Sequence, residues 1–370
     1  MIEARNSWGI ISQEGFRKKY KPKVMIYGFG GTIAMSPDQD GVLKPTKNIE
    51  QLIAQVPTLQ EMADLSFRQL ENRDSTNITP RHWKQLARRI EDMQNTGMSG
   101  VIITHGTDTM AYSAGAVALA LGRGLKIPVV FTGSQLPMMS LGTDARSNLE
   151  KAMQTIVAAR DEGIAEVMIT FSNKVLRGAR TMKVSESKFD AFDSPALPPL
   201  ASITATGVSF QPFALRKDEG STLEVKADFY RHIFTVDVVP GLDPGILLQI
   251  IRSKSCRGLL LKSLGAGNVP SEGAYSLLHV IKEATQKFHI PVLVATKFVG
   301  GNTNLQIYEP GKKALDMGAI PTGDMTDIMA QVKLMWLLGQ EYLDKDFILK
   351  PDIGLLKERI NTDFVGEISK

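Results

Sequence analysis

Lys23-Val24-Met25-Ile26-Tyr27-Gly28-Phe29-Gly30-Gly31-Thr32-Ile33-Ala34 is an apolar run that breaks into glycines and then a threonine. Lys23 to Tyr27 has the length and the β-branched and aromatic content of a strand. Glycines directly after a strand let the chain turn sharply and bring backbone amides close to a ligand, and a helix start beyond them favours a carboxylate or an oxyanion.

The same pattern recurs along the chain. Val101 to Thr104, Pro128 to Thr132 and Glu166 to Phe171 are further short apolar runs, separated by segments of helical period. Thr79 and Pro80 open one such segment, with Trp83, Leu86, Ala87, Ile90 and Met93 at helical spacing; Asp144 is placed to cap another, carrying Leu149, Met153, Ile156 and Val157. Short strands alternating with helices predict an α/β protein built on a parallel sheet. Ala201 to Val225 lacks this texture and holds Lys217-Asp218-Glu219-Gly220-Ser221, which reads as a linker. Alternation then resumes, with strands at Ile233 to Val238, Gly258 to Leu261 and Val292 to Ala295 and helices after Asp243, Ser271 and Asp324. The expected division is an N-terminal arm 1–22, a large domain 23–205, a linker 206–228, a smaller α/β domain 229–345 and a tail 346–370. No repeat of fixed period and no low-complexity segment interrupts it.

Composition narrows the class. At 370 residues the chain exceeds what one core usually fills, and 43% hydrophobic with 22% charged residues is ordinary for a globular protein. A net charge of +4 carries no nucleic-acid footprint, and the basic cluster Arg17, Lys18, Lys19, Lys21 and Lys23 reads as a solvated arm. The single Cys256 excludes an internal disulfide and paired-cysteine zinc sites. Neither a signal-peptide run nor a span of ~18 apolar residues is seen, so no membrane association is expected and a reducing cytoplasm fits. His82, His232, His279 and His289 lack metal-ligand spacing, and His105 reads as a structural residue bonded to backbone. Gly-x-Ser-x-Gly is absent. Neither a metal nor a cofactor is expected.

Ligands in open parallel sheets bind at the carboxyl ends of strands, near the point where strand order reverses. Two glycine-threonine turns fall at such ends: Gly28-Phe29-Gly30-Gly31-Thr32 and His105-Gly106-Thr107-Asp108-Thr109. The first also opens like a dinucleotide fingerprint, but Ile33 stands where the third glycine belongs.

Gly30 to Ala34 (GGTIA) and Thr104 to Met110 (THGTDTM) together resemble the two signatures of the bacterial-type L-asparaginase family, most like the cytoplasmic type I enzymes. Thr132-Gly133-Ser134-Gln135-Leu136-Pro137, Arg177 to Lys183, Phe189 to Pro195 and Leu264 to Asn268 agree in order and spacing, so the resemblance spans about Lys23 to Gln340. It implies a larger N-terminal domain with a mostly parallel, flavodoxin-like sheet, and hydrolysis of L-asparagine to L-aspartate and ammonia through a threonine acyl-enzyme. The nucleophile it implies is Thr32, with Thr107, Asp108 and Lys183 as a second triad; Thr107 as the attacking residue stays open. Such a hydroxyl needs a base or relay to lose its proton, and a lysine serves as base only where burial or other cations lower its pKa. Backbone amides of the glycine turns, Gly31 included, are candidates for the oxyanion.

By the same resemblance Ser75 takes the substrate carboxylate and Asp108 its ammonium; Thr76, standing where secreted relatives carry glutamine, Ser134 and Asn268 complete the pocket. Asn268 would reach across a subunit contact in a homodimer or homotetramer. Val42 departs from the pattern, since most asparaginases carry a lid tyrosine there, and no cysteine lies near Lys297 to Gly301 to support allosteric control. Two other readings stand beside the amidohydrolase. One is the ammonia-producing subunit of a tRNA-dependent amidotransferase, which the lost tyrosine favours and the roughly thirty residues before the first motif oppose. The other is a dinucleotide-binding oxidoreductase.

Overall fold

The structure, a computed structural model, describes residues 21–253, 255–341 and 351–369. Most of the expected N-terminal arm, including Arg17, Lys18 and Lys19, lies outside the described residues.

The first domain is organised by β1 (Lys23–Gly30), β4 (Asp64–Arg73), β5 (Gly100–Thr104), β6 (Val129–Thr132) and β7 (Val167–Phe171), which run parallel in the order β4-β1-β5-β6-β7. Counted along the chain this is 2-1-3-4-5, the flavodoxin-like order, with its switch point between β1 and β5. Successive side chains on a strand point to opposite faces, and the sequence uses both. Tyr27, Phe29, Val101, Ile103, Val129 and Phe131 pack on one face beneath the helices Pro80–Asn95 and Met110–Leu121. Val24, Ile26, Ile102, Val130 and Met168 pack on the other, against Ile49–Ile53 and Ala145–Asp161. Between β1 and β4 the chain forms a small hairpin, β2 (Met35–Pro37) with β3 (Leu43–Pro45), whose turn leaves Val42 54% exposed.

The sheet continues past β7 with antiparallel strands β8 (Lys174–Arg177), β11 (Ala201–Thr204) and β12 (Gly207–Phe210); a separate two-residue pair is formed by β9 (Met182–Lys183) and β10 (Phe192–Asp193). The linker expected over Ala201 to Val225 is therefore corrected at its start. Ala201 and Ile203 are buried while Ser202 and Thr204 are exposed, the alternation of a strand with one face on the core, and the two residues between β11 and the edge strand β12 make a hairpin.

The second domain carries a parallel sheet in the order β13 (Ile233–Asp237), β14 (Gly258–Ser263), β15 (Val292–Thr296) and β16 (Ile320–Pro321). Helices follow at Pro244–Arg252, capped by Asp243, at Leu278–Lys282 and at Asp327–Glu341. Every residue of Met110–Leu121 except Tyr112 is buried, because Asp327–Glu341 of the second domain covers the side that the first sheet leaves. Ala114, Val117, Met329, Ala330, Leu260 and Leu293 share one core.

The expected tail also needs correction. Ile353–Ile360 is a helix capped by Asp352, and Leu356, Ile360, Val365 and Ile368 enter the shared core. Gly366 O accepts from Arg177 Nη1 at 3.4 Å and Arg180 Nε at 2.7 Å, Ser369 N donates to Asp324 Oδ1, and Lys333 meets Glu367, so this segment joins both domains.

Candidate active site

At the switch point β1 and β5 lie side by side, with Gly28 paired to Thr104, so both glycine turns leave from the same edge. Gly31 adopts φ 86°, ψ 178°, a conformation open essentially to glycine alone. A Cβ there would also sit 2.3 Å from Gly106 Cα. The backbones of the two turns are thus in contact one residue before each threonine. Thr32 and Thr107 each open a short 3-10 turn, and Thr107 leads directly into the buried helix Met110–Leu121.

Lys183 arrives from β9. Its Nζ lies 2.8 Å from Thr107 Oγ1 and 2.6 Å from Asp108 Oδ1, with Thr107 buried, Lys183 17% exposed and Asp108 58% exposed. Ser75 is buried against the same backbone, since a Cβ on Gly106 would meet its Oγ at 2.6 Å, and Thr109 Oγ1 donates to Ser75 O. Six of the expected residues, Gly31, Thr32, Ser75, Thr107, Asp108 and Lys183, are therefore gathered around one pair of strand ends.

The remaining ones stand differently. Thr76 is exposed and its hydroxyl donates to Asp74 Oδ1 at 2.8 Å. Ser134 follows β6, one strand further along, and donates to Leu136 O within its own turn. Asn268 lies in the second domain, where its backbone bonds to Leu264. Gly31 N–H donates to Arg73 O at 3.1 Å, which takes that amide out of the oxyanion candidates. Among the described residues no group of His, Cys, Asp and Glu is arranged to hold a metal ion, and no helix is long and apolar enough to cross a membrane.

His105 sits beneath the cleft, 1% exposed, stacked on Phe29 with Nδ1 2.7 Å from Gly106 O. Neutral imidazole donates that bond and holds the turn before Thr107. Burial pushes its pKa down from 6.5 to about 4. Because the folded value lies below the unfolded one, the unfolded chain takes up the proton first, so this stabilisation is complete above about pH 6.5 and lost as pH falls towards 4. The expected loss is about 3 kcal/mol. Urea denaturation across this range should show His105→Gln with a shallower pH slope than the parent; equal slopes would contradict the assignment.

The profile of the family described as "Asparaginase, N-terminal" matches residues 23–214, and "Glutaminase/Asparaginase C-terminal domain" matches residues 232–348. An L-asparaginase of Thermococcus kodakarensis is 32% identical over 347 residues, covering 94% of this chain and 99% of that protein, and its structure superposes with a TM-score of 0.83. A glutamyl-tRNA(Gln) amidotransferase subunit of Aeropyrum pernix is 31% identical over 358 residues, covering 94% of this chain and 80% of the relative. L-asparaginase I of Vibrio cholerae superposes with a TM-score of 0.80 at 27% identity, covering 95% of this chain and all of that one.

Proposed function

Because this chain belongs to the asparaginase family, we propose that it hydrolyses L-asparagine to L-aspartate and ammonia, with Thr32 as nucleophile. The observation that carries this reading is the placement of Lys183 Nζ on both Thr107 Oγ1 and Asp108 Oδ1, behind a turn whose backbone touches the one bearing Thr32.

The chemistry divides among these groups. Thr32 Oγ attacks the side-chain amide carbon, and its proton leaves through Thr107 and Lys183 toward the departing ammonia. An ester to the aspartyl group remains on Thr32, and water attacks it by the reverse relay. Asp108 keeps Lys183 oriented while its exposed face accepts the substrate ammonium, and Ser75 takes the carboxylate. The free amides of the two turns serve the oxyanion. By the same family reading the protein acts in the cytoplasm as a homodimer or homotetramer, without metal or cofactor.

A second reading, the ammonia-supplying subunit of a tRNA-dependent amidotransferase, is favoured by relatives such as the Aeropyrum pernix protein and by Val42 in place of a lid tyrosine. Ammonia release from free asparagine and from free glutamine, each with and without tRNA, separates the two. Turnover of asparagine alone supports the first; release that requires tRNA and a partner supports the second.

A further inference from the structure

Lys183 is carried by a weak element. β9 and β10 pair through two residues each, Lys183 opposite Phe192 and Met182 opposite Asp193, and such a ribbon has little stability of its own. The loop between them buries little apolar surface: Val184 is 47% and Phe189 49% exposed. It is closed by Val184 N to Ala191 O and by Ser185 Oγ, which accepts from Ser187 N and Lys188 N. Outside the loop, Lys174 pairs with Asp190, an ion pair whose carboxylate is 53% exposed and so of small worth.

Gln135 reaches this loop from the end of β6. Its Nε2 donates to Glu186 O at 2.9 Å and to Lys188 O at 3.0 Å. Two carbonyl acceptors fix which end of the amide faces the loop, since Oε1 there would meet two other acceptors. The backbone beneath the side chain is anchored as well. Asp144 accepts from Gln135 N with both oxygens, at 3.1 and 3.0 Å, and from Leu136 N at 3.1 Å. Asn148, buried on the following helix, donates to Asp144 and to Gly133 O and accepts from Ser172 N, tying the ends of β6 and β7 together. Asp144 thus stands at the helix start as its sequence position indicates, yet its carboxylate makes no cap bond and serves Gln135.

We propose that Gln135 is a positioning residue that holds the Lys183-bearing ribbon in register with Thr107 and Asp108. This rests on the role given to Lys183 above. A misplacement of about 1 Å at a proton-transferring group costs up to about a hundredfold in rate, and the Gln135 amide, with two bonds to backbone carbonyls, ties the loop of this ribbon to the rigid sheet beside the exposed Lys174–Asp190 pair.

The test uses the full-length chain and asparagine. Gln135→Met removes the donors at nearly constant bulk and is expected to lower kcat about tenfold or more while KM changes by less than about threefold. Gln135→Lys restores donors that reach the same carbonyls and should recover at least about half of the loss. A methionine variant with parental kcat, a fall matched by a rise in KM, or a lysine variant as poor as the methionine one would each overturn the proposal. Should the methionine variant fail to fold, Gln135→Ser removes the reach without adding apolar bulk and is judged by the same criteria. Lys183→Met separates the two layers: if it retains turnover, the catalytic reading fails, whereas an inactive Lys183→Met beside a fully active Gln135→Met refutes only the positioning role.

Discussion

Thr32→Ala, Thr107→Val and Lys183→Met are each expected to lower the rate of ammonia release from asparagine by about 10³ or more while leaving the melting temperature within a few degrees of the parent. The valine variant isolates the hydroxyl. It keeps the shape of Thr107, which is buried between the Gly106 turn and the helix that follows, but leaves Lys183 Nζ without the oxygen it now meets at 2.8 Å. Thr107→Ser restores that oxygen and should recover most of the rate. Steady-state kinetics beside thermal melts read both quantities, and near-parental turnover in any of the three would remove its residue from the mechanism. Residues that act as one unit lose activity together, so Thr107→Val combined with Lys183→Met should be little worse than either alone.

Glu367→Ala is expected to destabilise the fold by about 3–5 kcal/mol. Lys333 and Glu367 form an ion pair at 2.7 Å with neither side chain exposed. Lys333 Nζ also donates to Ile360 O and Thr362 O, while Glu367 accepts from Phe364 N and Val365 N. Removing the carboxylate strands an ammonium and two backbone amides in the interior, where uncompensated charge is costly. Burial presses the Lys333 pKa down, with Glu367 opposing it. Lys333→Met with Glu367→Gln removes both charges and should cost less than the two single changes added together. Urea denaturation of the parent, Glu367→Ala, Lys333→Met, Glu367→Gln and the double variant measures both effects; additive costs in the Lys333→Met and Glu367→Gln cycle would mean that the pair is not coupled.

Legibility in the sequence followed physical range. Strand-like runs and the turns after them are local, and Lys23 to Tyr27 and Val101 to Thr104 fall within β1 and β5. The order of those strands is not local. That β1 neighbours β5, so that Gly31 meets Gly106, depends on tertiary contacts that no window of sequence contains. Thr107, Asp108 and Lys183 could be grouped only through family motifs, because 76 residues separate Thr107 from its lysine. Gln135 stands within a family motif with no role legible from sequence, for its partners are backbone carbonyls that carry no side-chain signal. The last segment was readable in part: Asp352 followed by Ile353, Leu356 and Ile360 is a cap with helical spacing. The fully buried Lys333–Glu367 pair was not, since isolated Lys and Glu ordinarily signal surface.

The central claim is that Thr32 carries the acyl group while Thr107 relays its proton. Mass spectrometry of peptides from enzyme acid-quenched during asparagine turnover tests it most directly. An aspartyl ester on the peptide containing Thr32, absent in Thr32→Ala and diminished in Thr107→Val, is the predicted result. The same adduct on the peptide containing Thr107 would contradict the account.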